Sequence, residues 1–259
     1  MRALVFPPAH DWTMLRVATL EAERAGFDGV LVGDHVWMLG RPRLEALSTV
    51  GALAAITTRI SLGLGVLSPS FRAPAVTARA IATLYEVSGG RLRAGVGAGA
   101  DEAEHQRADI PFGSPGDRLR QMERTIRAIK DACSDVPIVI GASGDRALAL
   151  VARYADEWNC GATYLDRIDD RVRRVSALTA HLETPVLRTV NMPIQLGASQ
   201  DDAFARRHNL HLALHGDVEA MIRRLREIRG FGFDGVWLGA QAPGAFERAL
   251  ELLPRVKEL

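Results

Sequence analysis

Short apolar runs alternate along this chain with longer stretches whose apolar positions return every three or four residues, a repeated switch between strand-like and helix-like periodicity. The runs predict strands over 2–6, 29–34, 60–66, 92–97, 137–141, 157–161, 186–192 and 235–239. The amphipathic stretches predict helices over 12–25, 44–57, 74–87, 117–133, 145–155, 167–182, 217–229 and 244–257. Val30, Leu31 and Val32 are typical of the runs: three apolar residues with no polar alternation, as in a strand covered on both faces. Strands alternating with helices read as a parallel sheet. Eight such units in 259 residues point to a closed (β/α)8 barrel more than to an open doubly wound sheet. The stretch 193–216 is the least regular and is expected to carry a loop or short helix at one rim. With no linker or low-complexity tract, one domain over 1–259 is expected.

One strand-and-turn unit occurs twice. Gly26-Phe27-Asp28-Gly29-Val30 returns as Gly232-Phe233-Asp234-Gly235-Val236. Each opens on a glycine that suits the left-handed end of a helix. The first copy runs on through its strand to Asp34-His35, whereas the second ends in Ala240-Gln241. In parallel α/β folds the C-terminal strand ends carry the chemistry, so the pair unique to the first copy is the leading functional candidate. Histidine titrates near neutrality and can pass a proton, and a neighbouring carboxylate can orient it. A strand-end cap with an ion pair is the plainer reading of the same two residues.

Composition removes several classes. Apolar residues make up 47% and charged residues 24%, ordinary for a globular protein. Lys and Arg number 32 against 31 Asp and Glu, which leaves no field to attract nucleic acid or an anionic membrane. Cys133 and Cys160 have no paired spacing, so neither a disulfide framework nor a zinc knuckle is expected. No apolar stretch reaches the ~18 residues a membrane span needs, and the N-terminal apolar run is too short for a signal sequence. A cytoplasmic protein is expected.

Three glycine-rich stretches stand at predicted strand ends. Gly63 and Gly65 suggest a bulge, a barrel corner, or the close approach of a flat ligand. Gly95-Val96-Gly97-Ala98-Gly99 is half of a dinucleotide fingerprint, but it runs into Asp101, Glu102 and Glu104 instead of a helix, and reads as one wall of a pocket. Gly141-Ala142-Ser143-Gly144 feeds a helix and offers free N–H groups to a phosphate, or an ordinary capping turn. His208, His211 and His215 share a helical face, but no carboxylate or cysteine joins them at ligand spacing, so no metal is expected. No strand carries the His-x-His of many metal-dependent hydrolase barrels.

Taken together, these stretches resemble the bacterial luciferase-like family of flavin and deazaflavin oxidoreductases. The matching residues are Ala22-Glu23-Arg24-Ala25-Gly26-Phe27-Asp28-Gly29 with Asp34-His35, then Thr57-Thr58-Arg59-Ile60-Ser61-Leu62-Gly63. Gly89-Gly90-Arg91-Leu92 follows, running into Gly97-Ala98-Gly99, and then Gly141-Ala142-Ser143-Gly144 through Arg153-Tyr154-Ala155-Asp156-Glu157-Trp158-Asn159. The resemblance implies a luciferase-like TIM barrel with a flat tricyclic cofactor over the C-terminal strand ends. It implies a non-prolyl cis peptide at Gly65-Val66, behind the ring. It places cofactor contacts at Gly65, Val66, Ala98 and Gly99, and at Ala142, Ser143 and Gly144 near the phosphate.

The resemblance also assigns roles. His35 matches the active-site histidine of the branch that uses the deazaflavin F420, with Asp34 orienting it, and Glu104 matches a recurrent acid. The single histidine of Asp34-His35-Val36 is similar to that branch; relatives that use FMN as monooxygenases often carry two. Relatives that oxidise sugar phosphates place an acid where this chain has Ala100, which argues against that substrate. Trp37, His10 and Trp12 are candidate substrate-side walls by position. The segment before Pro137 and the rim after the seventh strand are short, giving a barrel with shortened rim insertions. The expectation is a hydride-transferring oxidoreductase using F420 on a small organic substrate. An FMN-dependent monooxygenase fed by a separate reductase is the first alternative, a non-catalytic flavin- or deazaflavin-binding protein the second. A homodimer is in keeping with the family.

Overall fold

The structure, a computed structural model, describes residues 1–38, 41–99, 101–197 and 213–259. It begins with β1 (Arg2–Phe6), α1 (Trp12–Ala25), β2 (Gly29–Val32) and a two-stranded hairpin, β3 (Trp37–Met38) with β4 (Arg41–Pro42). Then come α2 (Ala46–Ile56), β5 (Ser61–Leu64), α3 (Pro74–Val87), β6 (Leu92–Val96), α4 (Glu102–Arg107) and α5 (Pro115–Ala132). The chain continues through β7 (Ile138–Gly141), α6 (Asp145–Tyr154), β8 (Glu157–Cys160), α7 (Ile168–Thr179) and β9 (Leu187–Gln195). It ends with β10 (Leu214–His215), α8 (Val218–Gly230), β11 (Gly235–Gly239) and α9 (Ala245–Lys257).

Eight parallel strands close on themselves in the order β1-β2-β5-β6-β7-β8-β9-β11, with β11 returning to β1 and β10 added along the end of β9. The expected (β/α)8 barrel is therefore the observed fold. The expected helices over 12–25 and 74–87 match α1 and α3 residue for residue. Asp11 caps α1 by accepting from Met14 N at 2.8 Å, and Gly26 ends it at a φ of 92°. The expected strands over 29–34, 60–66 and 92–97 run past the observed ends of β2, β5 and β6, while β9 extends three residues beyond its expected end at 192. The hairpin and the six-residue α4 were not expected at all.

The bottom of the barrel is fixed by one device used three times. Asp28, Asp156 and Asp234 each stand one residue before a barrel strand. Each accepts from the backbone of the adjoining strand or its approach: Asp28 from Ala3 N at 2.7 Å, Asp156 from Ile138 N at 2.7 Å, Asp234 from Arg188 N at 2.9 Å. A charge-assisted bond of this kind contributes about 1.5–3 kcal/mol and sets the register of the pair. The recurring Gly-Phe-Asp-Gly-Val unit is thus architectural.

Inside the barrel, Leu4, Phe6, Leu31, Val139 and Trp237 pack together with Val66. The strand glycines make room for them. A Cβ on Gly63 would stand 2.6 Å from Leu31, and one on Gly65 would stand 2.5 Å from the Phe6 ring. Large neighbours fill the places that side chains at these two glycines would take. Beneath, the buried Glu157 pairs with Arg93 and accepts from Thr189 Oγ1 at 2.6 Å and Trp237 Nε1 at 3.2 Å.

Candidate active site

The loops after β2, β5 and β6 meet at the C-terminal mouth of the barrel. The peptide between Gly65 and Val66 is cis, as the resemblance implies. Val66 turns inward across two glycines: a Cβ on Gly97 or Gly141 would fall 2.5 or 3.1 Å from its methyl groups, whereas one on Gly95 would first strike the Leu64 carbonyl oxygen at 1.8 Å. The small residues of the β6 and β7 ends therefore serve first to seat this valine.

Asp34 and His35 do not form a pair. Asp34 is buried, and Arg72 grips its carboxylate with two nitrogens at 2.8 and 2.9 Å. Ser68 N donates to the same group at 3.0 Å. The second arm of Arg72 reaches Glu45, the residue that caps α2, at 2.5 Å. Burial pushes the Glu45 carboxyl up, but hydrogen bonds from Ser48 and Arg72 outweigh it and hold the group below its usual range. Burial alone would lower the Arg72 guanidinium; its bonds to Asp34 and Glu45 carry it above its ordinary value instead. Asp34 thus ties the β2 loop to the β5 loop and has no contact with the imidazole beside it.

His35 is oriented by Glu104. Its Nδ1 lies 2.9 Å from Glu104 Oε2, while Oε1 of the same carboxylate accepts from Val36 N at 2.5 Å and Trp37 N at 3.0 Å. Glu104 is buried, and Asp101, capping α4, fixes it by accepting from its backbone N at 3.0 Å. With its oxygens taken, Glu104 acts as an anchor for the loop rather than as a second acid facing a substrate. The His35 side chain remains 37% exposed. Adjacent residues in extended chain face opposite ways, which is why Asp34 and His35 take separate partners.

Trp37 forms part of the hairpin, and the Arg107 guanidinium lies over its ring at 4.6 Å. His10 is exposed at the bend before α1, and Trp12, the first residue of α1, packs against the core. Both lie at the same end of the barrel as His35, since α1 starts where β1 ends. On the opposite side of the mouth, Trp158 Nε1 donates to Ala142 O at 2.7 Å and Arg171 donates to Ser143 O at 2.8 Å. These contacts pin the Ala142-Ser143-Gly144 turn, and Gly144, at the cap of α6, brings no side chain to it, leaving the first N–H groups of the helix for a ligand or solvent. Sequence reasoning missed Arg72, Ser68, Ser70, His105 and Asn191. Asn191, in register with Trp237 on the interior face of β9, has a buried Oδ1 with no hydrogen-bond partner among the described residues. Ala100, His208 and His211 lie outside the described residues. Among the described residues no cluster of His, Cys, Asp or Glu could hold a metal, and no helix is long and apolar enough to cross a membrane. The buried Cys160 thiol is pushed up to about 12 by desolvation and is no nucleophile at neutral pH.

A closed parallel barrel whose polar side chains converge at the C-terminal strand ends defines an enzyme-type (β/α)8 scaffold. Residues 7–135 match the sequence profile of the luciferase-like monooxygenase family. The chain is 33% identical over 171 residues to a 5,10-methylenetetrahydromethanopterin reductase of Archaeoglobus fulgidus, covering 58% of this chain and 50% of that one. It is 34% identical over 174 residues to an F420-dependent glucose-6-phosphate dehydrogenase of Beutenbergia cavernae, covering 55% and 50%. The matches thus span about half the length of these relatives. In fold it is similar to an F420-dependent secondary alcohol dehydrogenase in complex with an F420-acetone adduct, with a TM-score of 0.78, 16% identity and 98% of both chains covered. It is also similar to the EDTA monooxygenase of Chelativorans sp., with a TM-score of 0.79, 13% identity, and 100% and 93% covered.

Proposed function

We propose that this protein is an oxidoreductase that moves a hydride between F420 and a small organic substrate at the mouth of the barrel. The observation that carries the reading is His35: a partly exposed imidazole at a strand end, fixed through Nδ1 by a buried carboxylate, so that Nε2 is left to exchange a proton. The residues of the mouth suit a flat ring with a phosphate-bearing tail. A Cβ on Gly144 or Gly161 would meet nothing within 4 Å, which leaves room beside the β7 and β8 ends. When bound, a deazaflavin supplies a carbon-centred hydride and reacts poorly with oxygen. Val66, Ala98 and Gly99 would support the ring, and the uncapped start of α6 would hold phosphate. Glu104 keeps the imidazole turned, Asp34 with Arg72 holds the two loops together, and His35 holds or releases the proton at Nε2. The relatives named as F420-dependent support the choice of cofactor.

FMN-dependent monooxygenation is the second reading, supported by the match of residues 7–135 to the luciferase-like monooxygenase family profile. Fluorescence titration with F420 and, in parallel, FMN separates the two. Micromolar or tighter binding of F420 with weak FMN binding is expected. Preference for FMN, with oxygen uptake only when reduced FMN is supplied, would establish the monooxygenase instead. Tight binding with no turnover across a broad screen would leave a binding protein.

A further inference from the structure

His105 is buried on α4, one residue beyond Glu104, and the chemistry above makes no use of it. The rings of Phe71 and Phe112 flank it at centroid distances of 4.9 and 4.8 Å. Its Nδ1 stands 2.6 Å from the carbonyl oxygen of Asp101. A carbonyl only accepts, so Nδ1 carries the proton, and in the neutral ring Nε2 is a bare lone pair. Ser70 Oγ, 2.6 Å from Nε2, must therefore donate to it. A serine hydroxyl has one proton to give. Ser68 Oγ, 2.9 Å from Ser70 Oγ, must then donate to Ser70 and is left with lone pairs alone. The direction of the whole chain is dictated from its buried end.

The open end lies at the mouth. Ser68 is two residues beyond Val66, with its N–H on Asp34. Gly99, at a φ of +73°, passes so close that a Cβ there would meet Ser68 Oγ at 3.0 Å and both Ser70 Oγ and His105 Cε1 at 3.8 Å. The hydroxyl chain thus runs against Gly99, and Ser68 follows the 65–66 peptide by two residues; these are the two segments that flank the proposed ring. We infer that Ser68 Oγ is a hydrogen-bond acceptor for an N–H or O–H group on the edge of the bound cofactor, and that His105 is a positioning residue which, through Ser70, keeps that hydroxyl turned to accept. This inference rests on the proposed binding of a flavin-like ring at the mouth. A ligand edge offering only acceptors meets lone pair against lone pair, so the chain also discriminates between ring edges.

The polarity can be read without any ligand. Nitrogen-15 NMR of the free protein should show His105 as the Nδ1–H tautomer, and an Nε2–H tautomer overturns the inference. Fluorescence titration with F420 reads the consequence. Ser68→Ala and Ser70→Ala should each weaken binding about 10-fold, the size of one lost hydrogen bond. Ser70→Thr keeps the hydroxyl and should restore affinity. His105→Gln, whose amide oxygen can accept from Ser70, should bind better than His105→Phe, which keeps the packing and removes the acceptor. Tight wild-type binding with unchanged affinity in Ser68→Ala and Ser70→Ala overturns this inference and leaves the proposed function standing. A wild-type protein that binds neither F420 nor FMN overturns that function, and the ligand assignment of Ser68 with it.

Discussion

The segments 26–35 and 232–241 are built alike until their last two residues and then part. In both, a left-handed glycine, Gly26 at 92° or Gly232 at 91°, ends a helix or the turn after it, and a buried phenylalanine follows. In both, the aspartate before the strand accepts from a neighbouring strand's backbone N–H, Ala3 for Asp28 and Arg188 for Asp234. At the other end of the strand the first copy delivers Asp34 into an ion pair with Arg72 and His35 into a hydrogen bond with Glu104, and the second delivers Ala240 and Gln241. The bottom of each unit is therefore spent on register and the top is free to vary. Acidic residues occur at both ends of this barrel, and which end they occupy decides what they do.

Substitution at the top should separate the copies most. On a substrate found by screening, His35→Ala should lower F420-dependent turnover by about 10²–10⁴, the usual reach of general acid–base catalysis. Gln241→Ala, its counterpart in the second copy, should change turnover less than twofold, and equal losses would erase the distinction drawn between them. Next in size is Arg72→Ala, which leaves Asp34 buried and unpaired. Urea denaturation should show a loss of about 3 kcal/mol, part of it recovered when Asp34→Asn is added.

At the bottom the copies should behave alike. Asp28→Asn and Asp234→Asn should each cost about 1–2 kcal/mol in the same assay, with F420 affinity intact in both. A change in affinity for only one of them would mean that the bottom of the barrel is not neutral to function.

The smallest effect concerns Glu23, which accepts from Thr58 N, Arg59 N and Ile60 N at 2.9, 2.7 and 3.0 Å. Burial pushes its carboxyl up, yet these three bonds and the Arg59 charge prevail and hold it below its usual value. A lowered folded pKa means that stability is gained above the unfolded pKa of about 4.3 and lost as pH falls through the folded value. Glu23→Gln should cost about 1 kcal/mol at pH 7, and its unfolding curve should converge on that of the wild type in acid.

How far the sequence could be read depended on the range of each interaction. The α1 and α3 boundaries came out to the residue because Asp11, Gly26 and Pro74 act on their own neighbours. The ends of β2 and β5 were overrun because the chain stays extended after pairing stops, and pairing is a property of the neighbouring strand. The hairpin and α4 carry no periodic signal in so few residues; Glu104 holds one against the other across 67 positions of sequence. The same distance explains the misassigned partner. Adjacency offered Asp34 to His35, whereas Arg72, 38 residues on, had already claimed it. The three serine and histidine members of the hydroxyl chain come from the β5 loop and from α4, and nothing local marks them as a set.

Val66 occupies space relinquished by Gly97 and Gly141, and this ties the future of three positions together. A side chain gained at 97 or 141 can enter only where the valine gives way. Random libraries that vary the mouth one codon at a time will therefore meet a wall here, and every fertile route to a reshaped floor begins with a compensated double exchange such as Val66→Ala with Gly97→Ala.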